Sequence, residues 1–392
     1  MEIVKALRDS VYFREKVGEL EKLKKVSFTG LVGSSATFLL TALKEKFNSL
    51  LVATSTSLET ERIMAELEVL GIKGTYFPAP DVPPEEDKAA AKELIGQRLE
   101  VLSRWLKQEK MLVVAPLKAV LWKTIEPSQL GNLCLEVAKD QKVDLSKLIG
   151  KLVNLGYKRF EIVGEKGEFS VRGGIVDIFP VNCDLPVRIE FFEDIIESLR
   201  SFDPFSQRSV AKISKVEILP TYEKFETSVF AYLPQGALII LNEPLELSRT
   251  FDSLKEESIR YLDFAEVEKR SHIVFSSFLA PGEEEKFLSP PSFVGKIEDI
   301  PADAELVSRH AARLKEERPE LKIILGRLRG GFVFEKHMVL SDRELFGEEE
   351  VVKKVKVAPR EGISEELLVD LKVGDYVVHE NYGIGIYRGM KT

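Results

Sequence analysis

Apolar and polar positions follow two different patterns along the chain. Between residues 24 and 125, β-branched runs such as 50-LLVAT-54 and 111-MLVVA-115 are separated by stretches with apolar residues at helical spacing, such as 57-SLETERIMAELEVL-70. Strand and helix in regular alternation predict an α/β domain around a parallel sheet, with Ser57 as a helix start. From about residue 132 the pattern changes to short alternating strands with tight turns, which predicts an inserted antiparallel domain.

The α/β pattern returns after residue 223. We expect a helix over 303–318, although the stretch around 280–320 is short and irregular. The predicted strands are 237–242, 272–278, 321–326 and 331–342. The last residues, 371–392, alternate like the start of a small β-barrel and end after about two strands, whereas such a barrel needs about five. We therefore expect a fragment that is cut inside a domain.

Composition and charge narrow the possible classes of protein. The chain has 392 residues, of which 44% are hydrophobic and 31% charged, which is typical of a globular protein with two to four domains. Its net charge of -8 gives no electrostatic basis for nucleic-acid binding, so we expect little or no direct contact with DNA. The sequence has neither a run of about 18 apolar residues nor a signal peptide, which favours a cytoplasmic protein without a membrane partner. Cys134 and Cys183 have no histidine or cysteine at ligand spacing, so no metal site is expected.

The span 30-GLVGSSAT-37 lies between a predicted strand and a predicted helix, where nucleotide-binding proteins carry the phosphate loop G-x-x-x-x-G-K-[ST]. Ser35 replaces the second glycine and Ala36 the lysine. The missing cation is worth about 4 kcal/mol at 4 Å from a phosphate. We therefore expect a non-functional nucleotide loop and no catalytic residue; the alternative is a diverged ATPase or helicase with residual nucleotide or DNA binding. The degenerate loop consists of Gly30, Gly33, Ser35, Ala36 and Thr37.

The segment 187-VRIEFFEDIIESLRSF-202 is a predicted hairpin with its turn at Glu193 and Asp194. Strand periodicity places one set of side chains on a mixed polar and apolar face: Arg188, Glu190 and Phe192, with Ile195 opposite Phe192 and Glu197 opposite Glu190. An apolar anchor beside an arginine and a charged rim is typical of a binding hot spot. A solvated face with one isolated aromatic residue is the alternative, and the composition does not decide between them.

Four segments of the chain carry a family resemblance. The sequences 167-GEFSVRGGIVDIFP-180 and 186-PVRIEFFEDIIESLRSFDPFSQRS-209 resemble the signature of UvrB damage-recognition helicases and of transcription-repair coupling factors (Mfd). The terminal 373-VGDYVVHENYGIGIYRGM-390 is similar to the start of the CarD-type RNA polymerase interaction domain, which UvrB lacks, and 325–347 resembles the approach to that domain. Together they resemble the N-terminal region of a bacterial coupling factor.

The resemblance implies a multidomain α/β fold. Its parts are a UvrB-like parallel-sheet domain with a degenerate P-loop, an inserted antiparallel β-rich (α+β) domain, and the start of a small SH3/Tudor-like β-barrel. The implied domains are 1–131 (domain 1a), 132–222 (the UvrA-binding domain 2), 223–279 (domain 1b), 280–348 (a short third α/β region), 349–370 (a linker) and 371–392 (the truncated RNA polymerase interaction domain).

The resemblance also implies a function. The fragment would be a non-catalytic region that binds UvrA and thereby brings nucleotide excision repair to stalled RNA polymerase, which the terminal module contacts. The translocase motor, with its ATP and Mg²⁺, would lie beyond the fragment, which needs no cofactor, and C-terminal domains of the full protein would mask the UvrA surface. The implied UvrA contacts are Arg172, Arg188 and Phe192, to which hairpin geometry adds Glu190 and Arg200.

Overall fold

The computed structural model describes residues 1–80, 88–254, 261–347, 376–379 and 383–386. The chain divides into two compact units, Met1–Glu349 and Glu350–Thr392. The helices described are α1 (Glu2–Asp9), α2 (Val11–Leu23), α3 (Ser35–Lys46), α4 (Ser57–Val69), α5 (Lys88–Leu106), α6 (Leu117–Leu121), α7 (Pro127–Leu133), α8 (Leu145–Asn154), α9 (Pro244–Leu254), α10 (Phe264–Arg270), α11 (Ala311–Glu317) and α12 (Asp342–Phe346).

The first part of the chain contributes the strands β1 (Val26–Phe28), β2 (Leu50–Thr54), β3 (Gly74–Tyr76), β4 (Leu112–Pro116), β5 (Leu135–Ala138), β6 (Lys158–Arg159), β7 (Glu168–Arg172), β8 (Ile175–Ile178), β9 (Val187–Phe192), β10 (Ile195–Phe202), β11 (Ser209–Lys212) and β12 (Lys215–Ile218). The remaining strands are β13 (Leu238–Asn242), β14 (Ile273–Phe275), β15 (Phe287–Leu288), β16 (Glu305–Ser308), β17 (Lys322–Leu325), β18 (Phe332–Phe334), β19 (His337–Leu340), β20 (Tyr376–His379) and β21 (Gly383–Ile386).

The first sheet is parallel throughout, with strand order β1-β14-β13-β2-β4-β3. The two faces of β2 pack into different apolar cores. Leu50 and Val52 belong to one cluster, and Leu51 and Ala53 belong to the other. Burial on both faces explains why these strands are continuous apolar runs in the sequence. The chain leaves this sheet after β4 and returns to it at β13, so the predicted α/β domain with an insertion is confirmed.

The inserted region forms a second six-stranded sheet in the order β11-β10-β9-β8-β7-β6. Its pairs are antiparallel except β6 with β7. Helix α8 covers one face, where Leu148 and Leu152 pack with Val187, Ile189 and Ile196. We call the opposite side of this sheet the outer face. Strands β5 and β12 pair separately at the two ends of the insertion, and the prediction of an antiparallel β-rich insert is confirmed.

The region after residue 280 forms a five-stranded sheet in the order β15-β18-β19-β16-β17. It shares a core with the first sheet, since Phe38 of α3 packs edge-on against Phe332 of β18 with ring centroids 5.0 Å apart. The prediction of one helix over 303–318 is wrong, because Glu305–Ser308 is the strand β16 and the helix begins at Ala311. Strand β16 is buried between its parallel neighbours β17 and β19. Pairing with these two strands determines its conformation, although its apolar residues have helical spacing.

Three smaller predictions are also settled by the structure. The span 331–342 is a hairpin rather than one strand, because Glu335 adopts a left-handed φ of 52° between β18 and β19. Helix α4 begins at Ser57 as predicted, and Thr56 caps it, since the Thr56 side chain accepts a hydrogen bond from the Glu59 amide. Strands β20 and β21 pair antiparallel. The predicted linker at 349–370 lies outside the described residues, and the domain boundaries stay predictions.

No helix in the described part of the chain is both long and apolar enough to cross a membrane.

Candidate interaction site

The hairpin β9–β10 has the predicted two-residue turn. Glu193 adopts a left-handed φ of 53°, and Ile195 lies opposite Phe192. The predicted pairing of Glu197 with Glu190 is wrong, because the register shifts between Ile196 and Ser198 and places Ser198 opposite Glu190. This β-bulge inserts one extra residue into β10. Ile196 and Leu199 therefore both face the core although they are three positions apart.

A buried carboxylate organises the centre of the outer face. Asp177 of β8 is fully buried and accepts hydrogen bonds from Arg188 Nε at 2.7 Å, Arg188 Nη2 at 2.9 Å and Arg172 Nη2 at 2.7 Å. The Arg188 guanidinium also lies over the Phe202 ring, 4.7 Å from its centroid. The Asp177 carboxylate therefore raises the pKa of Arg188. The structure thus brings Arg172 and Arg188 together on one acid.

The two arginines differ in accessibility. The Arg188 side chain is only 17% exposed and uses two of its nitrogens on Asp177, whereas the Arg172 side chain is 53% exposed and uses one. Arg172 therefore has donors that face solvent, while Arg188 mainly supports the sheet.

Glu190 and Arg200 form a second polar pair on the same face. Glu190 accepts a hydrogen bond from Arg200 Nη2 and another from Ser198 Oγ at 2.6 Å. Both charged side chains are about one-third exposed or less. Because they neutralise one another, they provide a polar rim with little net charge.

The hairpin tip carries the accessible apolar surface. Phe192 is 67% exposed and Ile195, directly opposite it across the turn, is 46% exposed. Exposed aromatic and aliphatic side chains beside fixed arginines can bury apolar area against a partner protein. The structure thus places all five predicted contact residues on one side of the sheet, and their role in binding stays a prediction.

Two exposed apolar residues, Phe160 and Ile162, were missed by the sequence reasoning. They follow the short edge strand β6 and lie outside the motifs of the family resemblance. The alternation of apolar and charged residues in 158-KRFEIV-163 is their only sequence signal.

The loop at residues 30–37 is, by contrast, closed by the chain itself. The Ser34 amide donates to the Gly330 carbonyl at 3.0 Å, and the Val32 amide donates to Ser35 Oγ at 3.0 Å. In a phosphate loop, such amides point toward the bound anion. Gly33 has a left-handed φ of 53°, and a Cβ there would lie 2.5 Å from the Gly330 carbonyl oxygen.

The loop hydroxyls are also used internally. Ser34 Oγ and Thr37 Oγ1 donate to the buried Glu66 carboxyl, which also accepts the Arg329 amide at 2.8 Å. Burial raises the pKa of Glu66, and these three hydrogen bonds oppose that rise only in part. Thr37, which corresponds to the magnesium ligand of a phosphate loop, is itself buried. Within the described residues, no group of three His, Cys, Asp or Glu side chains is placed to hold a metal ion.

Comparisons with known proteins agree with the resemblance. Residues 135–223 match the model of the UvrB interaction domain, and residues 371–392 match that of the CarD-like/TRCF RID domain. The chain is 24% identical to a transcription-repair-coupling factor of Bacillus subtilis, over 98% of this chain and 44% of the relative. It is also 24% identical to that of Staphylococcus aureus strain MRSA252, over 93% of this chain and 42% of the relative. The chain thus spans less than half the length of these relatives, and the predicted resemblance is confirmed.

Proposed function

We propose that this chain, which matches the UvrB interaction domain and the N-terminal region of transcription-repair-coupling factors, is a non-catalytic recruitment region that binds UvrA. The observation that carries the proposal is the exposed pair Phe192 and Ile195 at the tip of a hairpin whose base is fixed by Asp177. A rigid apolar tip loses little conformational entropy on binding, which favours its use as an anchor.

The predicted contact residues take different parts in this proposal. Phe192 is the anchor, and Arg172 offers its solvent-facing nitrogens to a carboxylate of the partner. Arg188 is a positioning residue, because its guanidinium holds Asp177 and covers Phe202. Glu190 and Arg200 form the polar rim.

The test is the affinity of purified UvrA for the chain and for two variants. Phe192→Ala should raise the dissociation constant at least tenfold, about 1.4 kcal/mol, and leave the unfolding midpoint unchanged because the side chain is exposed. Arg188→Ala should weaken binding and also lower the unfolding midpoint, since it leaves Asp177 without its bidentate partner.

Val153→Ala is the matched control. Val153 is exposed on α8, the helix that covers the opposite face of the same sheet, so it should bind UvrA like the unmodified chain. Unchanged affinity in both the Phe192 and the Arg188 variant would remove the hairpin face as the docking surface.

The absence of ATP hydrolysis is part of the same proposal. It is supported by Ala36 in place of the phosphate-loop lysine and by the Ser34 amide, which the Gly330 carbonyl already occupies. The alternative is a diverged ATPase or helicase, and phosphate release that disappears in Thr37→Ala would favour it. For the longer protein we propose an ATP- and Mg²⁺-dependent translocase, contact with RNA polymerase and masking of the UvrA surface by C-terminal domains.

A further inference from the structure

A shallow cleft of about 720 Å³ lies on the β6 edge of the inserted sheet. Its lining consists of Arg159, Phe160, Glu161, Ile162, Val171 and Arg172. Phe160 is 49% exposed and Ile162 is 59% exposed. The cleft therefore presents two apolar side chains that fill no core in the described structure.

The wall of this cleft is held in place by the sheet. The Phe160 amide donates to the Phe169 carbonyl at 2.9 Å, which continues the pairing of β6 with β7. At the other end of the segment, Val163 is fully buried against Phe179 and Phe202. The backbone of this segment is therefore held by the sheet at Phe160 and by the buried Val163 at its other end. The side chains of Phe160 and Ile162 are exposed on an ordered segment.

The charges of the cleft favour an anionic occupant. Arg159 is exposed and has no ion-pair partner among the residues that the structure describes, and the half-exposed Arg172 gives Asp177 only one of its nitrogens. Glu161 is the one acid in the lining. This local excess of positive charge stands out on a chain with a net charge of -8.

Arg172 joins the cleft to the hairpin face. It lines the cleft and is hydrogen-bonded to Asp177, the residue that also holds Arg188. The hairpin tip alone offers two exposed apolar side chains, whereas a stable interface covers about 800 Å² on each partner. A docking surface centred on the hairpin therefore needs additional area next to it.

We propose that the cleft is the second half of the UvrA-docking surface and binds an acidic segment of UvrA that carries an apolar side chain. This inference rests on the proposed function. Arg159 and Arg172 would pair with the carboxylates, while Phe160 and Ile162 would cover the apolar side chain.

The experiment measures the affinity of purified UvrA for the full chain and its variants at two salt concentrations. The double variant Phe160→Ala/Ile162→Ala should raise the dissociation constant about tenfold, which is about 1.4 kcal/mol. Arg159→Glu should have a similar effect and should also reduce the salt dependence, because an attractive charge is replaced by a repulsive one. Arg159→Lys, which keeps the charge, should recover most of the affinity.

The controls separate this inference from the proposed function. Unfolding midpoints of all variants should match that of the unmodified chain, since the substituted side chains are exposed. If Phe192→Ala weakens binding while the cleft variants stay within twofold, the cleft is not part of the surface and the proposed function stands. If the unmodified chain does not bind UvrA, both proposals fail.

Discussion

The loop at residues 30–37 and the hairpin β9–β10 both occupy positions where related folds carry functional motifs, but the surroundings of their side chains differ. In the loop, the hydroxyls of Ser34 and Thr37 are buried and donate to Glu66, and the Ser34 amide is paired with Gly330. In the hairpin, the polar groups are paired among themselves while Phe192 and Ile195 remain exposed. The loop's donors are thus satisfied by the chain itself, whereas the apolar tip of the hairpin is exposed.

The contrast also separates residues within one motif. Arg188 and Phe192 are four residues apart on the same strand and share the outer face. Yet Arg188 is 17% exposed and held by Asp177, while Phe192 is 67% exposed. Residues of one motif can therefore have different roles. Arg188 fixes the sheet beneath the outer face, whereas Phe192 contributes accessible apolar area.

The largest expected effect is on the closed loop. Gly33→Ala places a Cβ against the backbone of Gly330 and Gly331 at a left-handed φ of 53°, so we expect a loss of about 4 kcal/mol in the free energy of unfolding. Urea denaturation measures it. Gly71→Ala is the matched control, because Gly71 also has a positive φ of 72° but nothing within 4 Å of its Cβ position. That variant should lose about 1 kcal/mol. Equal losses would show that the contact with 330–331 contributes nothing.

A smaller effect is expected at the base of the hairpin. Asp177→Ala leaves the mostly buried Arg188 without its carboxylate and should cost about 2 to 3 kcal/mol of unfolding free energy. Arg172→Ala should cost less than about 1 kcal/mol, since that side chain is half exposed and its charge is screened. The same denaturation curves compare the two variants. A greater loss for Arg172→Ala would reverse the roles assigned to the two arginines.

Much of the fold follows from the sequence, because the alternation of strands and helices and the turn at Glu193 depend on local patterns. The predictions for 303–318 and for the pairing of Glu197 were wrong because distant partners decide the structure there. Glu305–Ser308 became a strand by pairing with β17 and β19, and the bulge at Glu197 depends on the core beneath β10.

The candidate site shows the same limit. The residues of the outer face could be named from strand period, but the burial of Asp177 and its hold on Arg188 could not. The hydrogen bonds that pair Ser34 with Gly330 could not be predicted either, because Gly330 lies almost 300 residues from Ser34 in the sequence. Local sequence patterns thus located both the loop and the hairpin. The long-range contacts of the folded chain show that the donors of the loop are satisfied internally and that the hairpin tip is exposed.

The smallest expected effect is a pH dependence that originates in the closed loop. Burial raises the pKa of Glu66 in the folded protein above its value of 4.5 in an unfolded chain. The folded state therefore holds this proton more tightly, so the contribution to stability is complete below pH 4.5 and is lost as the pH rises through the folded pKa.

The variant Glu66→Gln tests this directly, since a glutamine keeps the shape and the acceptor oxygen but does not titrate. The free energy of unfolding of this variant, measured relative to that of the unmodified chain, should be larger at pH 8 than at pH 5, because only the unmodified chain loses stability as Glu66 ionises. Glu66→Ala is the control, because it leaves the donors of Ser34, Thr37 and Arg329 without an acceptor and should be the least stable at every pH. If the difference between the glutamine variant and the unmodified chain stays constant with pH, Glu66 is ionised in the fold. The closed loop would then contain a buried negative charge, held by hydrogen-bond donors like those that phosphate loops offer to an anion.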